Sequence, residues 1–313
     1  MTTTVFALTS ARSGTMSLSA FLERNAPHYK VVHETNDINL WNPPMFGRSI
    51  FDRTTGQLDP VRAVLRRKQR AIESSGSPVY IETSHAFLKS YADLAPEFFP
   101  DIKTFHLIRN PLEVARSEAN RERWMIKRRK YPVRFRYRYY RGDDGLRYRR
   151  WALTGLESIY GGFDLNELTL FEFYFIQWIE LENRAMAFLD RFDMHHRCLT
   201  LHTPHDLNSA HIAAEILAFV DVKPTGGMWL PGRCNGAPDG YETVLGTEEL
   251  RQCHRVIDAL PQSYLDIFQR APYAGQPWVS LLTKPSATTP APRPTEARAT
   301  LLSQWTEISA QSA

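Results

Sequence analysis

Val5-Phe-Ala-Leu-Thr-Ser-Ala-Arg-Ser-Gly-Thr-Met-Ser-Leu-Ser-Ala-Phe-Leu22 is the stretch of sequence that decides the fold. Its apolar start, from Val5 to Leu8, predicts a buried β-strand. A polar turn around Gly14 follows, and the apolar spacing from Met16 to Leu22 predicts a helix. A strand, a tight turn and a helix in this order present backbone N–H groups at a helix N-terminus. The stretch therefore predicts a binding site for a phosphate or sulfate group.

The turn itself has a sequence different from that of a Walker A loop. G-x-x-x-x-G-K-[ST] requires a second glycine and a lysine, whereas this turn reads Arg12-Ser13-Gly14-Thr15. A strand that leads into [KR]-[ST]-G-T resembles the 5′-phosphosulfate loop of the PAPS-dependent sulfotransferases, where P-K-S-G-T-T or R-S-G-T-T is common (PAPS is 3′-phosphoadenosine 5′-phosphosulfate). The simpler interpretation is an ordinary polar turn between a strand and a helix.

A second motif follows the predicted strand from Thr104 to Arg109. Asn110 and Pro111 end that strand, and Ser117 stands eight residues after the arginine. This order resembles the 3′-phosphate-binding motif of the sulfotransferases. An arginine at the carboxyl end of a strand offers a rigid fork of donors to a phosphate, and the serine adds a hydroxyl from the next helix. Each motif alone fits a plain turn, but the two in this order indicate the sulfotransferase family.

The fold class follows from the alternation of short apolar runs with helical patterns. Besides the two strands already described, we expect strands at 29–33, 78–82 and 197–201. Strands separated by helices predict an α/β fold, a three-layer α/β/α arrangement with a mainly parallel central sheet. The resemblance implies the P-loop NTPase-like fold of the sulfotransferases. Residues 42–60 are rich in Pro, Gly, Asp and Thr, and we expect a loop there.

The domain boundaries and the location also have sequence signals. We expect one sulfotransferase domain over residues 1–283 and a disordered Pro/Ala/Thr-rich tail over 284–313. No apolar run approaches the roughly 18 residues of a membrane helix, and the early first strand leaves no room for a signal peptide. We therefore expect a cytoplasmic protein. Its three cysteines lack metal-ligand spacing, so we expect reduced thiols and no metal.

Positive charge is concentrated in residues 121–150. This segment contains 13 Lys or Arg against three acids, a charge of +10 in a chain whose net charge is +4. Aromatic residues interleave with the arginines, a pattern that suits carbohydrate or nucleic acid. We expect a helical insertion at about 121–162 that binds the acceptor or covers the site, meeting an anionic acceptor or an anionic membrane surface, with no specific nucleic acid. The alternative is a solvated basic hairpin neutralised by acids elsewhere.

The resemblance implies PAPS as donor, 3′,5′-ADP as product and no metal. The amides of the loop would hold the 5′-phosphosulfate, with hydroxyls adding further donors; these residues are Ser13, Gly14, Thr15, Met16 and Ser17. Arg109 and Ser117 would hold the 3′-phosphate. Arg12 stands where many relatives have a catalytic lysine. An arginine does not donate its proton near neutral pH, so we expect it to stabilise charge on the leaving oxygen.

A general base must take the proton of the acceptor, and four residues are candidates. Glu34 ends the second strand, where glycan- and tyrosine-modifying relatives carry a catalytic glutamate. His33 would point to the opposite side if the strand continued through both residues. Glu82 ends the third strand and His85 comes just after it, near where cytosolic relatives place a catalytic histidine. Capping and turn roles are the plain alternatives for Glu34 and His85.

The remaining expectations concern the far end of the chain and the rival functions. Arg233, in a loop with two glycines, resembles a C-terminal contact to the 3′-phosphate, or is a surface residue. The reaction expected is in-line transfer of a sulfuryl group to a hydroxyl or amine, with a carbohydrate or lipid-linked acceptor. A P-loop kinase is the first alternative, disfavoured by the missing lysine. A non-catalytic anion- or nucleic-acid-binding protein that uses the basic segment is the second.

Overall fold

The computed structural model describes residues 2–34, 42–127, 138–223, 227–232 and 245–284. Within these ranges the strands are β1 (Thr3–Thr9), β2 (Lys30–Val32), β3 (Val79–Glu82), β4 (Ile102–Ile108), β5 (Tyr139–Arg141), β6 (Arg147–Arg149) and β7 (Cys198–His202). The α-helices are α1 (Thr15–Asn25), α2 (Arg48–Thr54), α3 (Leu58–Ser74), α4 (Ala95–Phe98), α5 (Pro111–Lys127), α6 (Leu170–Arg191), α7 (Ala210–Phe219) and α8 (Thr247–Ala259). A π-helical turn spans Phe87–Tyr91.

The central sheet has five strands in the order β2-β3-β1-β4-β7, and every pairing in it is parallel. β1 lies in the middle, between β3 and β4. Its register with β4 runs from Thr4 opposite Ile102 to Thr9 opposite Leu107. The predicted α/β class with a mainly parallel sheet is confirmed.

Helices cover both faces of the sheet, because the central strands alternate between two apolar clusters. Val5 and Leu107 face a smaller cluster that α1 and α7 close. Phe6 and Ile108 face a larger cluster formed with α3, α5, α6 and α8. Strands with both faces buried read as continuous apolar runs, which is why β1 and β4 were predictable from the sequence. The three predicted layers are present.

The longest helix, α6, crosses the larger cluster. Thr169 begins it with a capping box, in which its hydroxyl accepts from the Glu172 N–H and the Glu172 carboxylate accepts from the Thr169 N–H. The apolar face of α6 packs against α5, and Trp178 is completely buried. None of the described helices combines the length and apolar character needed to cross a lipid bilayer.

Two expectations differ from the structure. The loop expected at 42–60 is wrong in part, since α2 and the start of α3 lie within it. Buried Ile50 and Phe51 hold α2 in place, and composition alone concealed this short apolar face. In the described part of the basic insertion, α5 runs to Lys127, and β5 and β6 form an antiparallel hairpin that was not expected from the sequence.

Candidate active site

The candidate site lies where the sheet changes direction. The chain leaves β1 for β2 on one side of the sheet, and leaves β4 for β7 on the other. Ligands of open α/β sheets bind at this kind of crevice, outside the carboxyl ends of the strands. The Arg12–Thr15 turn follows β1 and Arg109 follows β4, so the two sequence motifs meet at this crevice.

Side chains from three other strand ends hold the carbonyl groups of the turn. Arg109 Nη1, after β4, donates to the Arg12 carbonyl at 2.9 Å. The Thr203 hydroxyl, after β7, donates to the Ser13 carbonyl at 3.0 Å. The Thr83 hydroxyl, after β3, donates to the Thr15 carbonyl at 3.0 Å. With these carbonyls fixed toward the sheet, the turn has a defined shape before any ligand binds.

Gly14 is required by the geometry of the turn. Its φ of +93° lies in the left-handed region that favours glycine. A Cβ at this position would lie 2.9 Å from Leu207 Cδ1 and 3.4 Å from Thr203 Cγ2. Helix α1 begins directly after it, with no side chain capping its N-terminus and no acidic residue in its first turn. These features suit the binding of an anion at the start of α1.

The guanidinium groups of the two motifs are in contact with partners across the crevice. Arg12 Nε donates to Ser117 Oγ at 2.9 Å. Arg109 also donates from Nε and Nη2 to Glu113, at 3.0 and 2.8 Å. Burial lowers the pKa of Arg12, and the negative charge of Glu118 opposes this effect. Because the ordinary pKa of an arginine is very high, the Arg12 guanidinium stays cationic near neutral pH. Two positive groups and a hydroxyl therefore converge beside the N-terminus of α1.

The hydroxyl groups of the loop differ in their orientation. Ser13 is fully buried and its Oγ pairs with Ser10 Oγ at 2.8 Å, so this hydroxyl is directed into the protein. Thr15 is also buried, whereas Met16 is 41% exposed. Ser17 is half-buried at the start of α1. Among the expected hydroxyl donors, Ser17 is accordingly the one best placed to meet a ligand.

Glu34 and His85 form a pair close to the turn. Glu34 Oε1 lies 3.2 Å from His85 Nε2, and 3.9 Å from His33 Nε2. His33 Nδ1 lies 3.2 Å from the Thr83 hydroxyl, which gives its own proton to the Thr15 carbonyl. The hydroxyl must then accept from His33 Nδ1–H, which leaves Nε2 of the neutral ring unprotonated. Thr83 therefore connects this group of side chains to the turn.

The placement of His33 departs from the expected alternation. β2 ends at Val32, so the strand does not continue through His33 and Glu34, and the two side chains lie on the same side. Both are about one-quarter exposed. The structure brings together three of the four candidate bases, and His33 is among them.

Titration in this group is governed by burial and by the Glu34–His85 contact. Burial lowers the pKa of His85 to about 4, and the nearby charge of Lys89 adds to the effect. Burial would raise the pKa of Glu34, but the hydrogen bond and charge of His85 outweigh it and lower the pKa to about 2. Glu34 is therefore an ionised carboxylate near neutral pH, oriented by a neutral His85 that donates from Nε2.

Glu82 lies apart from this group. Its carboxylate is buried, 2.6 Å from Lys68 Nζ, and accepts from the Tyr80 hydroxyl at 2.7 Å. The Tyr91 hydroxyl approaches the other oxygen at 3.5 Å. These contacts argue against Glu82 as the base and point to a role in the core. Arg233 lies outside the described residues.

Three further charged residues lie near the candidate bases and were not singled out from the sequence. Lys89 is fully buried and its Nζ donates to the Trp151 carbonyl at 2.5 Å. Glu118 directly follows Ser117 in α5 and is 4% exposed. The charge of Arg121 acts on both Arg12 and Glu34. All three occupy helical positions, where the sequence pattern gives no sign of a site.

The described part of the basic segment is partly neutralised within the fold. Arg149 lies 3.4 Å from Glu122 and its guanidinium covers the Phe173 ring. Arg121 lies over the Trp151 ring, 5.2 Å from its centroid. Residues 128–137, which hold five of the thirteen basic residues, are outside the described ranges. The acids of α5 therefore offset some of the positive charge that the sequence concentrates here.

No group of His, Cys, Asp and Glu side chains suited to a metal ion occurs in the part of the chain that the structure describes. Cys198 and Cys253 are free thiols, and burial raises the pKa of Cys198 to about 11. These two thiols are therefore protonated near neutral pH and poorly suited to act as nucleophiles.

The solved structures that match this chain include three sulfotransferases. A sulfotransferase domain from the curacin biosynthetic pathway is 13% identical, with a TM-score of 0.46, covering 97% of this chain and 98% of that one. A sulfotransferase domain from the Synechococcus PCC 7002 olefin synthase is 13% identical, with a TM-score of 0.43 and coverage of 96% and 92%. A sulfotransferase from Alicyclobacillus acidocaldarius is 14% identical, with a TM-score of 0.41 and coverage of 82% and 91%. No family model and no curated protein matches the chain.

Proposed function

We propose that this protein is a sulfotransferase that moves a sulfuryl group from PAPS to a hydroxyl acceptor. The observation that carries the proposal is the direct contact between the two motifs. Arg12 bonds to Ser117, and Arg109 bonds to the Arg12 carbonyl, although these pairs are 105 and 97 residues apart in sequence. One ligand with a phosphate at each end of a nucleoside fits such a pair of motifs better than two unrelated turns do.

In this proposal the donor binds across the crevice. The start of α1, with Gly14 and Ser17, receives the 5′-phosphosulfate, where the helix dipole favours negative charge. Arg109 and Ser117 receive the 3′-phosphate. Glu113 already occupies two donors of Arg109, so the carboxylate orients the guanidinium and the ligand uses the donors that remain.

Transfer requires neutralisation of the leaving group and removal of the acceptor proton. Arg12 remains cationic and lies at the turn, so it stabilises the negative charge that develops on the leaving phosphate oxygen. Glu34 takes the proton of the acceptor hydroxyl, with His85 holding the carboxylate in position. A bound phosphosulfate would raise the pKa of Glu34 by like-charge repulsion and make it a stronger base.

Nucleotide binding separates this proposal from the alternatives. By titration calorimetry we expect 3′,5′-ADP to bind more tightly than ATP, and Arg109→Ala to lose on the order of 10- to 100-fold in affinity, the scale of a charged hydrogen bond. Arg62→Ala is the control, because Arg62 is similarly exposed and pairs with Glu97 away from the site. Tighter binding of ATP would favour a kinase. No binding of either nucleotide would favour a non-catalytic protein.

The assignment of the base has its own test. Glu34→Gln should lower the rate of transfer by about 10²- to 10⁴-fold, the usual contribution of a general base, and leave the affinity for 3′,5′-ADP unchanged. Release of 3′,5′-ADP from PAPS in an extract of acceptors gives the rate. If Glu34→Gln keeps its activity and His33→Gln loses it, the unprotonated Nε2 of His33 is the base.

We propose that the acceptor is a hydroxyl on a carbohydrate or a lipid-linked compound. Basic and aromatic side chains line one cavity with Glu118 and give this surface mixed polar and apolar character; they are Arg121, Arg149, Trp151 and Tyr174. Such a surface suits an amphipathic acceptor.

A further inference from the structure

Glu118 is a buried carboxylate that accepts no hydrogen bond from the described residues. Only 4% of the residue is exposed, and Oε1 has no protein partner. The nearest cation is Arg121, with Nη1 3.7 Å from Oε2, which is beyond hydrogen-bond distance. The other buried glutamates in the described residues each accept at least one hydrogen bond, and these are Glu82, Glu122, Glu157, Glu172 and Glu182. A buried carboxylate without a hydrogen bond destabilises the folded protein, unless a group of a ligand donates a hydrogen bond to it.

Glu118 lines a small cavity between α5, the hairpin and α6. The lining includes Glu118, Arg121, Arg138, Arg149, Trp151 and Tyr174. The cavity is about the size of one water molecule. It therefore accommodates one polar group that projects from a larger ligand, and it is too small for a ring.

Lys89 is connected to the lining of this cavity through Trp151. Its only hydrogen bond among the described residues goes to the carbonyl of Trp151, a residue that lines the cavity. Two N–H donors of the buried ammonium group therefore have no acceptor among the residues that the structure describes. Glu118 is the charged group that acts most strongly on Lys89, yet the two side chains form no ion pair within 4.0 Å in the described chain. A carboxylate acceptor and an ammonium donor thus lie near each other without direct contact.

We infer that a hydroxyl group of the acceptor binds between Glu118 and Lys89. A hydroxyl group both donates and accepts a hydrogen bond, so it satisfies both side chains. Its O–H donates to Glu118 Oε1, and its oxygen accepts from Lys89 Nζ. A carboxylate or sulfate has no proton to donate to Glu118 Oε1, and an ammonium group has no lone pair to accept a hydrogen bond from Lys89 Nζ. A neutral hydroxyl satisfies both.

This subsite is separate from the proposed base and close to it. Glu34 and His85 are in direct contact at 3.2 Å, whereas Glu118 and Lys89 form no ion pair within 4.0 Å among the described residues. The charges of Lys89 and Glu118 both act on His85, and that of Glu118 also acts on Arg12. The acceptor therefore has two neighbouring hydroxyls, one that reacts at Glu34 and one that binds at Glu118. The inference rests on the proposed sulfuryl transfer and narrows its acceptor to diols and polyols, the class that includes sugars.

Matched alcohols test the inference. Cyclohexanol and the cis and trans isomers of cyclohexane-1,2-diol would be compared by the rate of 3′,5′-ADP release from PAPS, above the rate with water alone. We expect a diol isomer to exceed cyclohexanol in kcat/KM on the order of 10- to 100-fold, as for a hydrogen bond to a charged group. Glu118→Met, which keeps the length of the side chain and removes the acceptor oxygens, should bring this ratio close to one.

The control variant is Glu180→Met. Glu180 is a largely buried helical glutamate, 12% exposed, that pairs with Arg184 outside the cavity, so the diol preference should persist in this variant. Lys89→Met provides a second test from the other side of the subsite and should also reduce the preference. Glu118→Met should still bind 3′,5′-ADP and unfold cooperatively, which separates a loss of the subsite from a loss of the fold.

The outcomes are distinguishable. A diol preference that survives in both Glu118→Met and Lys89→Met, or its absence in the wild type, overturns the subsite. Loss of the reaction with water as well as with diols in Glu118→Met would make Glu118 the base instead. If the wild type neither binds 3′,5′-ADP nor releases it from PAPS, the proposed function itself fails, whereas binding and release without diol preference leave the function standing and remove only this inference.

Discussion

At the scale of single residues, the site depends on a few positions with little freedom. Gly14 combines a left-handed backbone with close contact to Leu207, and Arg12, with a φ of +64°, is also in the left-handed region. Left-handed backbone in a residue with a side chain costs roughly 1–2 kcal/mol. The contact of Arg109 with the Arg12 carbonyl holds this conformation, which aims the Arg12 side chain toward Ser117.

Gly14→Ala tests how much of the need for glycine at this position comes from the close approach of Leu207 and how much from the left-handed backbone. Gly76 is the matched control, because it has a φ of +66° and nothing within 4 Å of an added Cβ. Gly76→Ala should lose about 1–2 kcal/mol of the free energy of unfolding from backbone strain alone. Gly14→Ala should lose more, since Leu207 must also move, and should bind 3′,5′-ADP more weakly. Chemical denaturation measures the free energy of unfolding of both variants. Equal losses would mean that Leu207 moves away from the added methyl group without a loss of stability.

His85 should make the protein sensitive to acid. Its pKa is lowered to about 4 in the folded protein, against about 6.5 in an unfolded chain, so the unfolded state takes up the proton first. Its contribution to stability is present above pH 6.5 and is lost as the pH falls toward 4, by up to about 3 kcal/mol. Urea denaturation at pH 7, 5.5 and 4 should therefore show a steeper loss in the wild type than in His85→Gln. Parallel losses would contradict the prediction.

At the scale of secondary-structure elements, charged groups buried in the core join helices to the sheet. Lys68 of α3 and Glu82 of β3 are both fully buried and 2.6 Å apart. Lys68 also donates to Asn42 and to the Pro43 carbonyl, so the pair fixes the segment that returns the chain to α2. In α6, Glu182 accepts from the Tyr273 hydroxyl and contacts His106 of β4 at 2.9 Å.

Replacing one member of the Lys68–Glu82 pair should lower the free energy of unfolding more than replacing both members does. Lys68→Met leaves a buried carboxylate without its cation and should cost about 3–5 kcal/mol, whereas Lys68→Met combined with Glu82→Leu should cost less. Urea denaturation of the two single variants and the double variant gives the coupling. The folded fraction of Glu82→Gln should keep its transfer activity. A specific loss of activity there would restore Glu82 as a candidate base.

The elements also show what the sequence could and could not reveal about the site. Arg12 and Arg109 were predictable, because each follows an apolar run that marks a strand, and the carboxyl ends of parallel strands meet at one edge. Lys89 and Glu118 were not, because a helical pattern does not distinguish a buried charge from one on the solvent face. The hairpin of β5 and β6 was missed for a related reason, since its arginines and tyrosines match no apolar alternation.

At the scale of the whole molecule, one turn connects four of the five strands of the sheet. The Arg12–Thr15 turn extends from β1 and is held by side chains after β3, β4 and β7. A ligand bound there stabilises the folded state as a unit, by about 2.7 kcal/mol at a concentration of 100 times its Kd.

Saturating 3′,5′-ADP should therefore raise the melting temperature of the intact protein and slow amide hydrogen exchange in β1, β3, β4 and β7 together. The increase should shrink as salt is added, since the proposed contacts are between charges. Differential scanning fluorimetry and hydrogen exchange provide the measurements, with Arg109→Ala as the variant that should respond less. Protection confined to α1 would show that the ligand does not use the second motif.

The same three contacts determine when, during synthesis, the turn acquires its shape. Their partners lie 68, 97 and 190 residues away along the chain, so the last of them, from Thr203, is made long after β1 has left the ribosome. Contacts of such separation form slowly and late. A nascent chain that ends before β7 has both phosphate motifs in its sequence but lacks one of the three supports of the turn. Nucleotide affinity would then be gained only after Thr203 has been synthesised, which keeps shorter nascent chains from occupying the donor.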